Sequence, residues 1–244
     1  MEGEVFTQHI SRRFNEDLEQ LRTAVSNMGG LVERQLAQAV EAIVSGDSQL
    51  GLDVANRDFE VNQFEVEIDE ECSRILATRA PAAGDLRLIV AVIKVITDLE
   101  RIGDEAQRVG ICAARLAANA QPRDRYDELK SLSEHVQEML HDALDAFSRL
   151  DVKDALRVAE EDKYVDEEYE AIYRQCITMM MEDSSTIKRF MDVSWTARSL
   201  ERIGDHAKNI CEYVIYLVQG KDVRHTEIED LRSQVEEGVG RSGL

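Results

Sequence analysis

Residues 98–106 read Asp-Leu-Glu-Arg-Ile-Gly-Asp-Glu-Ala, and residues 199–207 read Ser-Leu-Glu-Arg-Ile-Gly-Asp-His-Ala. Seven of the nine positions are identical, including an unbroken Leu-Glu-Arg-Ile-Gly-Asp. A string of that composition does not recur by chance within one chain, so it indicates an internal duplication. The chain is therefore predicted to consist of two copies of one unit.

The composition predicts helix throughout both copies. Long stretches are rich in Ala, Glu, Leu, Arg and Gln, and aromatic residues make up only 5% of the chain. The two prolines, Pro81 and Pro122, lie between helical patterns. The longest apolar run, residues 88–93, ends at Lys94 and is too short to cross a bilayer.

Charge and cysteine usage narrow the class of protein. The formal net charge of −20 argues against a nucleic-acid partner, because such proteins present a basic face. The N-terminus lacks the basic and apolar regions of a signal peptide. The four cysteines are scattered without a Cys-x-x-Cys spacing, which is typical of reduced thiols in a cytosolic protein. We therefore expect a cytoplasmic protein.

Apolar side chains at helical spacing predict three helices in each copy. In the first copy they cover about residues 7–45 and 47–78, followed by a motif helix that ends near residue 120. In the second copy they cover about residues 125–149, 152–181 and 186–219. Gly46-Asp47 and Asp151 supply stop and start signals between helices.

This pattern predicts an all-α fold of two tandem antiparallel three-helix bundles joined end to end. The first bundle is assigned to residues 1–120 and the second to 121–220, with a hinge at residues 121–124. Residues 221–244 form an acidic C-terminal tail that we expect to be partly disordered, with a short polar helix over 226–237.

Two acidic pairs in the second copy suggest a metal site. Asp162 and Asp166 are four residues apart on the middle helix, as are Glu201 and Asp205 on the motif helix, so each pair shares one helix face. Unpaired buried carboxylates cost several kcal/mol each, so a cation, an arginine or exposure in a groove must compensate. Four oxygen ligands from two adjacent helices suit a hard metal such as Fe, Mn or Mg. The first pair falls within a predicted apolar stripe of Ala155, Val158, Tyr169, Tyr173 and Cys176.

The first copy repeats this arrangement with one difference. Glu100 and Asp104 are present, but the partner pair is Asp58 and Asn62, where an amide replaces a carboxylate. Two hypotheses follow: the first site binds metal more weakly, or Glu65 provides the fourth carboxylate.

The doubled motif, the Asp85-Leu86-Arg87 ahead of the first motif helix and the duplicated three-helix layout resemble the PhoU family of phosphate-transport regulators. The resemblance covers about residues 6–220. It implies two PhoU-type bundles, a cytoplasmic homodimer that associates with the membrane peripherally through its partners, and metal clusters held by paired Glu/Asp-x-x-x-Asp motifs. Iron, zinc or manganese are the expected metals. The motifs fall on Glu201, Asp205, Asp162 and Asp166 in the fuller site, and on Glu100, Asp104 and Asp58 in the other.

The resemblance also implies a regulatory function without catalysis. Members of the family repress the phosphate-starvation response and modulate phosphate uptake. They do so by coupling the phosphate-specific ABC transporter, through its ATPase subunit, to a phosphate sensor histidine kinase.

Two other interpretations of the acidic residues remain open. The first is a di-metal carboxylate enzyme of ferritin or oxidase type, which requires two inward-facing Glu-x-x-His motifs. One such string, Glu138 to His141, is present and has no second copy. The second is a metal-free helical adaptor whose acidic lines are solvated faces, so that chelators change neither its melting temperature nor its oligomeric state.

Overall fold

The computed structural model describes residues 2–118 and 126–223, with side chains from residue 12 onward. Every regular element in these ranges is a helix, which confirms the predicted all-α class. The predicted hinge at 121–124 and the predicted tail helix at 226–237 lie outside the described residues. The helices are α1 (Glu2–Ser45), α2 (Ser48–Ala55), α3 (Asp58–Arg79), α4 (Ala83–Ala118), α5 (Asp127–Arg149), α6 (Val152–Glu182) and α7 (Ile187–Gln219), with a short 3-10 turn at Ser184–Thr186.

The two sequence copies form two structural units that begin their second helix in the same way. Unit 1 comprises α1–α4, and unit 2 comprises α5–α7. Asp47 accepts hydrogen bonds from the first-turn amides of α2, and Asp151 does the same for α6, so each caps the orphan N–H groups of a helix start. Before each cap the chain turns through a left-handed residue, Gly46 in unit 1 and Leu150 in unit 2.

The second helix of unit 1 is broken, where the sequence predicts one helix to about residue 78. The chain ends α2 at Ala55 and begins α3 at Asp58. Two side chains from other helices bond the carbonyls at the break: Gln107 donates to Ala55 O at 2.9 Å, and Gln35 donates to Arg57 O at 3.2 Å. Because these glutamines replace the lost intrahelical bonds, the break is tolerated. In unit 2 the corresponding helix, α6, is continuous.

The first helix is long and continuous, as its apolar phase predicts. Gly29 and Gly30 lie within α1 without ending it. A Cβ added to Gly29 would lie 3.0 Å from Leu144 Cδ2, so this glycine lets α1 approach α5 of the other unit closely.

The units pack side by side, not end to end as the sequence suggested. The two motif helices, α4 and α7, pack against one another and run antiparallel. Residues further along α4 contact residues nearer the start of α7. Asp98 pairs with His206, Glu105 with Arg202, and Arg115 with Asp192. Buried side chains cover most of the circumference of α4 and leave only a narrow exposed stripe that includes Thr97, Arg101 and Arg108, so one bundle alone does not cover this helix.

Within each unit the motif glycine sets the distance to the middle helix. A Cβ on Gly103 would lie 3.2 Å from Val61 Cγ1, and a Cβ on Gly204 would lie 3.2 Å from Val165 Cγ1. Both contacts are tighter than ordinary packing, so glycine allows α3 to lie close to α4 and α6 close to α7. The carboxylates of each helix pair are thereby brought within reach of one another.

The cysteines are core residues. All four are free and buried: Cys72, Cys112, Cys176 and Cys211. Among the described residues, no helix combines the length and apolar character that a membrane span requires.

Candidate metal site

The four predicted carboxylates of unit 2 form one group, which we call acid cluster 2: Asp162, Asp166, Glu201 and Asp205. Asp162 and Glu201 are buried, with 4% and 7% of their surfaces exposed, whereas Asp166 and Asp205 lie at the outer edge. A Cβ on Gly204 would lie 3.8 Å from Asp162 Oδ1, which places this carboxylate beside the motif backbone. The cluster therefore lies in the seam between α6 and α7 and opens to solvent on one side.

Burial and neighbouring charge raise the pKa of three carboxylates of acid cluster 2. Burial, followed by the charge of Asp205 and smaller contributions from Asp166 and Asp162, raises the pKa of Glu201 to about 7. Burial and the charge of Asp162 raise the pKa of both Asp166 and Asp205. These shifts accord with the positions of the four groups on the facing helices α6 and α7.

Two cations of unit 2 pair with acid cluster 2, and sequence reasoning missed both. Lys208 Nζ lies 2.7 Å from Asp162 Oδ2, and Arg198 Nη1 lies 2.6 Å from Glu201 Oε1. Burial would lower the pKa of Lys208, but its hydrogen bond to Asp162 and the charges of Asp162, Glu212 and Asp205 raise it, so the lysine is charged. The signal for Lys208 was its position: it lies seven residues after Glu201 and three after Asp205, on the same helix face.

The apolar stripe predicted around the Asp162–Asp166 pair is correct only in part. Ala155, Val158 and Cys176 are buried with Asp162. Asp166 is exposed, and so is Tyr173, with 44% of its surface accessible. Of the two acids, only Asp162 is buried among the apolar side chains, whereas Asp166 lies at the rim of the seam.

The corresponding group in unit 1 is acid cluster 1, made of Asp58, Glu65, Glu100 and Asp104. All four side chains are partly buried. Burial and the charge of Asp104 raise the pKa of Asp58, and burial with the charges of Asp104 and Glu65 raises that of Glu100. Burial raises the pKa of Glu65 as well, with contributions from Asp69 and Asp104. Glu65 is therefore counted with this group, and its role as a fourth ligand stays a prediction.

Asn62 lies at the exposed edge of acid cluster 1 and contacts it directly. Its amide donates to Asp58 Oδ2 at 3.1 Å. The amide thus occupies the place of the fourth carboxylate without adding charge, and Glu65 lies one turn further along α3.

The opposite face of each motif helix holds the two units together. Asp98, on α4, accepts hydrogen bonds from His206 Nδ1 at 2.7 Å and from Asn209 Nδ2 at 3.1 Å. Arg202 and Arg108 both bond the carboxylate of Glu105, which is 2% exposed. The motif therefore directs its Glu and Asp to the middle helix of its own unit, while Arg202 and His206 contact the other unit.

The chemistry of the two clusters fits a bound divalent cation. Glu201 Oε2 and Asp58 Oδ1 are buried and receive no hydrogen bond, an arrangement that costs free energy unless a further group completes it. Hard carboxylate oxygens are preferred ligands of such ions. Among residues 12–118 and 126–223, no three His, Cys, Asp or Glu side chains already converge in a metal-binding arrangement, so binding would require the carboxylates to turn inward.

The lone Glu-x-x-His string does not face a bundle interior. Glu138 and His141 are both exposed on α5. His141 Nδ1 lies 2.8 Å from Glu33 on α1, a surface ion pair between units. The arrangement lacks the inward-facing ligands that a di-iron carboxylate enzyme uses.

Comparison with known families supports the duplication read from the sequence. The model of the PhoU domain matches the chain twice, over residues 25–112 and residues 129–214. Each match ends within a motif helix, at residue 112 in α4 and at residue 214 in α7, so one copy of the family domain falls in each structural unit.

Close relatives extend over nearly the whole chain. The phosphate-specific transport system accessory protein PhoU homolog of Pseudomonas aeruginosa is 49% identical over 234 residues, covering 96% of this chain and 97% of its own length. The phosphate-specific transport system accessory protein PhoU of Escherichia coli strain K12 is 49% identical over 224 residues, covering 91% of this chain and 92% of its own.

Solved structures show the same fold. The crystal structure of PhoU from Pseudomonas aeruginosa matches with a TM-score of 0.82 at 50% identity, covering 85% of this chain and all of that one. The phosphate transport system regulatory protein PhoU from Streptococcus pneumoniae matches with a TM-score of 0.80 at 28% identity, covering 86% of this chain and 99% of its own.

Proposed function

This chain belongs to the PhoU family, and on that premise we propose that it is an accessory protein of a phosphate-specific transport system that represses the phosphate-starvation response. One observation carries the proposal. Relatives named as phosphate-specific transport system accessory proteins are almost half identical to this chain along nearly the full length of both. Matches of 234 and 224 residues are long enough to extend over both motif helices as well as the scaffold that supports them.

The proposed partners are the ATPase subunit of the phosphate-specific ABC transporter and a phosphate sensor histidine kinase. The protein acts as a homodimer in the cytoplasm and reaches the membrane through these partners. Its charge of −20 favours docking on basic protein surfaces over direct binding to anionic lipid.

The acid clusters are proposed as sites for divalent iron, zinc or manganese, with more than one ion allowed per cluster. Asp58, Glu65, Glu100 and Asp104 would hold the cation in unit 1, and the four acids of acid cluster 2 would hold it in unit 2. A bound ion supplies positive charge that offsets the repulsion between carboxylates. The buried, unpartnered oxygens of Glu201 and Asp58 support this assignment.

The proposed role is regulatory and not enzymatic. The described cysteine thiols are buried, and burial raises the pKa of each, which makes them poor nucleophiles. The single Glu-x-x-His string faces outward. Oxygen-dependent oxidation of ferrous iron by the purified protein would argue for the enzyme alternative instead.

The regulatory function is tested by complementation. A bacterial strain that lacks its own PhoU protein, and carries a reporter behind a phosphate-starvation promoter, expresses the reporter even when phosphate is plentiful. We expect this chain to restore repression in high phosphate and to leave induction in low phosphate intact. A reporter that stays fully active, although the protein is folded and present at normal abundance, would contradict the proposal.

A further inference from the structure

We propose that Lys208 is a built-in counter-ion that makes acid cluster 2 the weaker cation site, so that acid cluster 1 fills first. The inference rests on the proposed cation-binding role of both clusters. If only the carboxylates are counted, Asn62 makes acid cluster 1 the weaker cation site. When the neighbouring cations are counted as well, acid cluster 2 becomes the weaker site.

Acid cluster 2 already carries two internal cations at contact distance. The ammonium of Lys208 lies 2.7 Å from Asp162 Oδ2, and only 6% of the Asp162 side chain is exposed. The guanidinium of Arg198 lies 2.6 Å from Glu201 Oε1. The two most buried carboxylates of this cluster are therefore each partly neutralised by the protein itself.

Acid cluster 1 has different residues at both equivalent positions. The duplicated motif aligns Lys208 with Gln107 and Arg198 with Thr97. Gln107 turns away to donate to Ala55 O, where it supports the break between α2 and α3. Thr97 donates its hydroxyl to Ile93 O within its own helix. Neither replacement brings positive charge to the carboxylates.

The cation that does approach acid cluster 1 is Arg101, and its contact is weaker. Its Nε lies 3.6 Å from Glu100 Oε2, and 56% of its side chain is exposed, so water screens the interaction. The equivalent arginine of unit 2, Arg202, pairs with Glu105 across the unit interface and not with acid cluster 2. Four carboxylates thus face one loosely held cation in unit 1 and two closely held cations in unit 2.

A divalent ion entering acid cluster 2 must compete with Lys208 for Asp162 and is repelled by the ammonium it displaces. The side chain of Lys208 is 30% exposed, so it can swing outward to make room for the ion. Breaking its ion pair with Asp162 costs free energy, and this cost lowers the affinity of acid cluster 2 for the ion. In acid cluster 1 the incoming ion meets carboxylates whose one nearby cation, Arg101, is loosely held. Two sites with different thresholds would let one protein respond to cation supply over a wider range than two equal sites.

The test isolates one site at a time and titrates each with Mn²⁺ alone, following free Mn²⁺ by electron paramagnetic resonance. In one background Glu100→Gln and Asp104→Asn remove acid cluster 1, and in the other Glu201→Gln and Asp205→Asn remove acid cluster 2. We expect the remaining site of unit 1 to bind Mn²⁺ about tenfold or more tightly than that of unit 2. In the background that keeps only acid cluster 2, Lys208→Gln should raise the Mn²⁺ affinity most of the way to that of acid cluster 1.

Lys208→Arg is the matched control, because it keeps the charge while changing the side chain. It should bind Mn²⁺ as weakly as the lysine form, and circular dichroism should show that both variants are fully helical. Equal affinities of the two sites, or a Lys208→Gln variant that binds no more tightly than Lys208→Arg, would overturn the inference while leaving the cation sites standing. Absence of Mn²⁺ binding in every variant would overturn the proposed cation sites themselves, and this inference with them.

Discussion

Glu201→Gln is expected to stabilise the metal-free protein by about 3 kcal/mol at pH 8, and by about 1 kcal/mol or less at pH 5. The reason is that Glu201 is 7% exposed and lies among other carboxylates, which together with burial raise its pKa to about 7.

The sign of the pH dependence follows from where the proton resides. In the unfolded chain Glu201 titrates near its usual value of 4.5, whereas in the folded protein it keeps its proton up to about pH 7. Between these values the folded state binds more protons than the unfolded state, so the wild type loses stability as pH rises from about 4.5 to about 7. Glutamine carries no charge at any pH, so the variant lacks this loss.

The measurement is urea unfolding of both proteins in a chelator from pH 5 to pH 8, with the difference in unfolding free energy plotted against pH. Glu16→Gln, at an exposed position on α1, is the matched control and should show a difference near zero throughout. A Glu201→Gln difference that does not change between pH 5 and pH 8 would mean that Glu201 is not held in a repulsive, buried cluster.

His206→Ala is expected to cost about 3 kcal/mol of unfolding free energy, because it removes the main partner of a buried carboxylate. Asp98 is 7% exposed and lies in the interface between the two motif helices. Without His206 the Asp98 carboxylate keeps the amide hydrogen bond from Asn209 Nδ2 at 3.1 Å. For a chain of this size such a loss corresponds to a fall in melting temperature of roughly 6–12 °C.

An exposed ion pair provides the comparison for His206→Ala. Arg12 and Glu16 pair on the surface of α1, with 79% and 56% of their side chains exposed. Arg12→Ala should change stability by less than about 1 kcal/mol. If His206→Ala costs no more than Arg12→Ala, the contact between Asp98 and His206 does not hold the units together.

The helical framework was predictable because its signals are local. Asp47 and Asp151 cap the helices that the sequence assigns to them, and the four-residue spacing of the acids places each pair on one face. The break at residues 56–57 was not predictable, since it depends on Gln35 and Gln107 reaching across from other helices. No local pattern encodes such a contact.

The candidate site was predictable as a set of acids but not as a balance of charge. Glu100, Asp104, Glu201 and Asp205 lie where the motif places them. The cations that distinguish the two units, Lys208 and Arg198, were visible in the sequence only as part of an ordinary charged helix. Packing of the units side by side depends on pairs about a hundred residues apart, such as Asp98 with His206, which periodicity does not reveal.

The central claim, that the duplicated acidic pairs form two cation sites, is tested most directly by elemental analysis of protein purified without chelator. Wild type is compared with Glu100→Ala/Asp104→Ala and with Glu201→Ala/Asp205→Ala, all three checked for unchanged helix content. We predict iron, zinc or manganese in stoichiometric amount in the wild type, and loss of a separate share of it in each double variant. Equal metal content in all three proteins, or none in any, would contradict the claim and leave the acid clusters as a docking surface.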